Sequence, residues 1–153
     1  MAITLSKFLR SCTTLPNSIQ SHKSKKYCLR EFRQVFSSQE AKNASNVLYA
    51  FVCEKKIPRV KSKSNIIYIG KTVQTLSKRY MKYAKAFCSG ENSPLYNFII
   101  ARYGSIEIVY SHFDTVQSLK RAEAELLNDY YKLHKEYPPK NFQRPSVLQR
   151  SVK

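Results

Sequence analysis

Acidic residues are scarce in this chain. Ten Asp and Glu stand against 27 Lys and Arg in 153 residues, a formal net charge of +17. A field of that size attracts polyanions, and nucleic acid is the commonest of them, although ribosomal and membrane-surface proteins carry similar charge. Long apolar runs are missing as well, which excludes a membrane-spanning helix. The N-terminus has no apolar stretch of the kind that directs secretion. The four cysteines, Cys12, Cys28, Cys53 and Cys88, lack any paired spacing. That spacing argues against a zinc site, and reduced thiols of an intracellular protein are the expected state. What is present is 42% hydrophobic residues with eleven Tyr and eight Phe, enough for a folded core of one domain rather than disorder.

Residues 1–45 differ from the rest of the chain. The first thirty carry Lys7, Arg10, Lys23, Lys25, Lys26 and Arg30 without one acid. This composition suits a flexible basic arm, and it is also similar to an organellar transit peptide. Leu29, Phe32, Val35 and Phe36 are spaced for a short helix over Tyr27–Ser37. From Asn46 the pattern tightens. Val47–Cys53 and Asn65–Ile69 are β-prone apolar runs, separated by a loop with Lys55, Lys56, Arg59, Lys61 and Lys63. They predict an antiparallel hairpin with a basic tip. Gly70 is expected to end the second strand, and Thr72 or Thr75 to cap a helix whose apolar stripe is Leu76, Tyr80, Tyr83 and Phe87.

Ser93 and Pro94 open a further helix with Leu95, Phe98, Ile99 and Tyr103 inside and Gly104 at its end. Ile106, Ile108 and Tyr110 alternate as a third strand. A last long helix starts after Asp114 or Thr115 and stops before Pro138. The expected fold is therefore α/β (α+β): a small, mostly antiparallel sheet of about three strands flanked by helices. A basic extension precedes it over 1–45, and a basic tail closes the chain over 143–153.

The last helix carries the sharpest chemical signal. Leu119, Leu126, Tyr130 and Leu133 define its buried face, and Glu123 falls inside that stripe. A carboxylate on an apolar face needs a cation, a metal or a chemical task. Arg79 is one possible partner. Glu125 projects to the other side, among Arg121 and Asp129. A guanidinium such as Arg79 can stabilise the charge of a five-coordinate phosphorus, and a lone carboxylate can hold Mg²⁺ with water and phosphate oxygens. Tyr49 and Tyr68, on adjacent strands, can meet across the hairpin and orient or deprotonate water, with Lys71 near enough to lower a tyrosine pKa or share the role.

Taken together, Val47–Tyr49, Tyr68–Gly70, Arg79 in Leu76–Tyr80, Glu123 and Asn141 occur in an order and on elements that resemble the GIY-YIG endonuclease family, over about residues 46–142. The resemblance implies the GIY-YIG nuclease fold and a phosphodiester-cleaving DNA endonuclease using one Mg²⁺ (or Mn²⁺). It implies Tyr49, Tyr68, Arg79 and Glu123 as catalytic residues, with Glu123 the metal ligand. Gly70, Lys71, Tyr83 and Asn141 would bind substrate or order the site. The family's glutamate is followed at +3 and +4 by apolar residues, as Glu123 is by Leu126 and Leu127; Glu125 is followed by Asn128 and Asp129. Tyr83 stands where some members carry histidine, and Val47 replaces the first glycine. Members include phage-encoded, intron-encoded homing and repair nucleases. DNA is the expected partner and a host-cell cytoplasm or organelle the expected location. A double-strand break would require a second copy, as a dimer or tetramer on DNA. The reading from another class is a nucleic-acid-binding protein that keeps the fold without cutting.

Overall fold

A computed structural model describes residues 2–20, 24–90 and 93–141; the basic tail expected over 143–153 lies outside them. Helices and an antiparallel sheet are mixed. Among the described residues the sheet has four strands rather than three: β1 (Thr13–Thr14), β2 (Val47–Pro58), β3 (Lys63–Thr72) and β4 (Ile106–His112), in the order β1-β4-β2-β3. Every neighbouring pair is antiparallel. The fourth strand, β1, comes from the segment whose composition suits an arm. Two exposed threonines offer no alternation to read, yet they pair with Tyr110 and Val109. Around them Phe8, Leu15, Ile19, Phe32 and Phe36 are fully or almost fully buried. The N-terminal residues thus build part of the core.

The two sheet faces are covered differently. On one side Tyr49, Phe51, Cys53, Ile67, Ile106 and Ile108 pack under α2 (Lys25–Phe36), α3 (Gln39–Asn43), α4 (Leu76–Tyr80), α5 (Ala84–Ser89) and α6 (Ser93–Tyr103). On the other side Leu48, Ala50, Ile66 and Ile69 pack under α1 (Leu5–Ser11) and α7 (Val116–His134). The two-residue period of a strand explains the division. A bulge where Phe51 pairs with Tyr68 but Val52 pairs with Ile66 leaves Ile67 as the extra residue. Ile67 and Tyr68, neighbours in sequence, consequently face the same core, with Ile66 and Ile69 on the other side.

Several sequence expectations are corrected by packing. Gly70 lies inside β3 and does not end it. The helix expected through Phe87 is broken: α4 gives way to a 3₁₀ turn at Met81–Tyr83 before α5 begins. Thr75 rather than Thr72 caps α4, accepting from the Lys78 amide. Phe98 and Leu133, read as inward, are half exposed. At the end of α7 the buried position passes to His134, whose Nδ1 lies 3.0 Å from the Lys61 carbonyl oxygen.

The hairpin tip is also less free than its charge suggests. Arg59 pairs with Glu136 at 3.0 Å and donates to the Tyr137 carbonyl, so the tip is latched to the end of α7. Lys55, Lys56, Lys61 and Lys63 stay exposed. Finally, the cysteines are not all reduced thiols: Cys28 of α2 is disulfide-bonded to Cys88 of α5, while Cys12 and Cys53 are free. Their separation of 60 residues carried no spacing signal; the packing of α2 on α5 brings them together.

Candidate active site

Strand pairing sets Tyr49 opposite Gly70 and Phe51 opposite Tyr68. Directly paired residues share a face, so both tyrosines rise on the side covered by α4 and α5. A methyl group at Gly70 would sit 2.6 Å from Tyr68 Cε2 and 2.7 Å from the Tyr49 hydroxyl. Glycine is therefore needed here for room, because two aromatic rings lie across it. The Tyr49 ring is inclined to Tyr68 at 6.1 Å between centroids and meets Tyr80 edge-on at 5.6 Å. The Tyr49 and Tyr80 hydroxyls share a hydrogen bond.

Burial holds both Tyr49 and Tyr80 as neutral phenols. Desolvation pushes each pKa well above the ordinary value, and neighbouring tyrosines add to the rise. Tyr49 is 1% exposed. It supports the rings around it and is poorly suited to take a proton from water. Tyr68 and Tyr83 are the accessible phenols of the group, half-buried and exposed respectively. Arg79 lies 5.3 Å from the centroid of Tyr83 and 5.5 Å from that of Tyr80, two cation–π contacts that hold the guanidinium. Its hydrogen bond and positive charge lower the pKa of Tyr83.

Glu123 is 8% exposed, as its phase within the α7 stripe requires. Glu125 is half-buried. The cation beside Glu123 is Lys71, with Nζ 2.9 Å from Oε1, and not Arg79 as the sequence allowed. Lys71 pairs with Leu48 and so points to the α7 side of the sheet. The sequence-predicted residues thus form two sets. Tyr49, Tyr68, Gly70, Arg79 and Tyr83 gather on one face, and Lys71 with Glu123 on the other.

Asn141 stands at the strand joining them. It is 1% exposed; its Oδ1 accepts from the Ile69 amide and its Nδ2 donates to the Ile69 carbonyl, both at 2.9 Å. β3 is the sheet's outer strand, so Asn141 closes the outer backbone groups of the residue between Tyr68 and Gly70.

Among the described residues no three His, Cys, Asp or Glu side chains group together. Mg²⁺ makes a smaller demand, since it keeps several waters and takes phosphate oxygens alongside one or two carboxylates. Glu123, buried and with one oxygen on a lysine, fits such a lone-carboxylate site.

Beside Tyr68 and Arg79 opens a cleft of about 400 Å³ that also takes in Tyr80, Phe87, Tyr96 and Lys140. Three of these escaped the sequence reading. Tyr80 follows Arg79 and was visible only as a member of an apolar stripe. Lys140 adjoins Asn141, and Tyr96 gave no local signal.

Comparison with protein-family models, with curated proteins and with solved structures finds no match.

Proposed function

We propose that the chain is a DNA endonuclease of the GIY-YIG type, hydrolysing phosphodiester bonds. The observation that carries the reading is the buried Glu123 carboxylate paired with Lys71 of β3, the strand that also carries Tyr68 into the Arg79 cleft on the other face. Under this reading the scissile phosphate is required at the β3 edge beside Asn141, between the Arg79 face and the Glu123 face. Arg79, held against two rings, donates to the phosphate oxygens as charge accumulates on them. Tyr68, the accessible strand tyrosine, orients the attacking water and in its phenolate form takes the water's proton to become a neutral phenol, while the leaving oxygen is protonated from solvent; Tyr49 and Phe51 hold that ring in place. Lys71 pairs with the Glu123 carboxylate and holds it beside β3. When bound to Glu123, Mg²⁺ supplies Lewis-acid stabilisation of the phosphate charge. The exposed lysines and arginines bind the backbone in a salt-sensitive, largely sequence-independent manner. DNA is the partner and an intracellular setting the location. Among the described residues no helix is long and apolar enough to cross a membrane.

The Lys71–Glu123 ion pair also favours a second reading. A carboxylate already matched by an ammonium has a structural reason to be buried, which would make the chain a nucleic-acid-binding protein that does not cut. A plasmid-nicking time course separates the two. Under the nuclease reading, wild type converts supercoiled DNA to nicked or linear forms with Mg²⁺ and not with EDTA, and Glu123→Gln abolishes the conversion. Tyr68→Phe slows cutting by about 10²–10⁴-fold, the usual worth of a proton-transfer group. Intact supercoiled DNA with wild type over a range of substrates would leave only the binding reading.

A further inference from the structure

The cleft next to Arg79 has a composition that phosphodiester hydrolysis alone does not require. A phosphate needs cations and amide or hydroxyl donors, whereas this wall is built mainly from rings. Phe87 and Tyr96 stack at 4.0 Å between centroids, and Tyr68 and Phe51 continue the lining. Two cations complete it: Arg79, and Lys140, whose Nζ lies 5.6 Å from the centre of the Tyr96 ring. The volume of about 400 Å³ falls in the range of about 300–1,000 Å³ that holds a small organic ligand. Flat π-faces beside fixed positive charge are the chemistry that binds a nucleobase with its phosphate.

By contrast, the broader depression along α2, about 710 Å³, is lined by Lys25, Lys26, Arg30 and Arg33 with no aromatic ring. It suits a phosphate backbone and offers a base nothing to stack on. The two surfaces therefore divide the tasks of holding a strand.

We infer that the aromatic cleft takes one unpaired nucleobase of the DNA strand, stacked against Tyr68 and against the Tyr96 face that Lys140 covers, with the adjoining phosphate held by Arg79 and by Lys140 displaced from that ring. The inference rests on the nuclease reading, in that it takes the strand to be the DNA that this site cuts. It names the substrate class as DNA with an unpaired or easily unstacked nucleotide. A base inside an intact duplex cannot enter such a cleft until it leaves the stack, and that step costs least where the base has no partner.

The test uses the full chain in EDTA with two duplexes that differ only in whether one 2-aminopurine is paired or bulged. Wild type is expected to bind the bulged duplex about tenfold more tightly, the scale of one base stacking on an aromatic side chain. The probe's fluorescence should fall as it stacks. Tyr96→Leu, which lacks a π-face, should bring the ratio of the two affinities close to one.

Equal affinities with unchanged fluorescence would overturn the inference, as would a preference that survives in Tyr96→Leu. If that variant does not fold, the wild-type fluorescence change and affinity ratio decide alone. Displacement of the bulged probe by equimolar adenosine monophosphate would assign the cleft to a free nucleotide and overturn the strand reading. The same duplexes with Mg²⁺ keep the two readings apart. Nicking without base preference retains the nuclease and removes this inference; base capture without nicking on any substrate does the reverse.

Discussion

Gly70→Ala tests the packing of the site with a single methyl group. The added carbon would lie 2.6 Å from Tyr68 Cε2, 2.7 Å from the Tyr49 hydroxyl oxygen and 2.8 Å from Tyr49 Cζ. Gly70 does not adopt a positive φ, so alanine meets no backbone penalty and the effect is steric. The Tyr49 ring cannot retreat: it is buried among Phe51 and Tyr80, with its hydroxyl hydrogen-bonded to Tyr80. Tyr68 borders the cleft and can swing outward. Overpacking of this kind costs about 1–3 kcal/mol, and in a chain of this size each kcal/mol lowers Tm by roughly 2–4 °C. Chemical denaturation of wild type and Gly70→Ala measures the first quantity, and a thermal melt the second.

A double-mutant cycle then divides the clash. In a Tyr68→Ala background the same substitution should lose only the share due to Tyr68, leaving the Tyr49 share in place. The displaced Tyr68 also predicts slower nicking at near-normal DNA affinity. Wild-type stability in Gly70→Ala would refute the account of why glycine is required there.

Other parts of the structure give independent predictions. Asn141→Ala removes both bonds to Ile69 and should cost roughly 2–4 kcal/mol in chemical denaturation, since two backbone groups lose their partner. Opening the Cys28–Cys88 disulfide with a reductant, or replacing both by Ser, should cost about 2–4 kcal/mol for a loop of 60 residues; unchanged melting under reductant would contradict this. Tyr49 and Tyr80 have folded pKa values raised by desolvation, so the folded state holds their protons longer than the unfolded chain does. Their contribution is complete below the unfolded value of about 10 and is lost as pH rises beyond it. Denaturation midpoints should fall in that window, and less steeply in Tyr80→Phe. Arg79→Ala should cut about 10²–10³-fold more slowly while binding DNA nearly as wild type does; equal losses of both would make Arg79 an ordinary phosphate contact.

Glu123 shows what a sequence makes legible. Helical phase is a local property, and four residues from Leu119 place Glu123 on the buried side. The hairpin, the capped starts of α4 and α7 and the alternation in β4 are local in the same sense. Features set by distant partners were hidden. Where the helix after Thr75 breaks, Tyr80 meets the Tyr49 hydroxyl and Tyr83 lies beside Arg79, contacts that no spacing in 76–87 reveals. Lys71 was legible as a nearby cation, but its service to Glu123 depends on the face that β3 register assigns to it. The pairing of Thr13 and Thr14 with β4, and of Cys28 with Cys88, likewise depends on contacts far along the chain.

Asn141 has a consequence beyond the site. Its amide offers Ile69 the same donor and acceptor that a neighbouring strand would, so one side chain imitates a fifth strand one residue long. At the opposite border β1 spans only two residues. Open sheet edges let copies of a chain pair with one another, and short or interrupted edges blunt that tendency. With an amide on Ile69 at one border and a two-residue strand at the other, this sheet offers a second copy an interrupted template on either side.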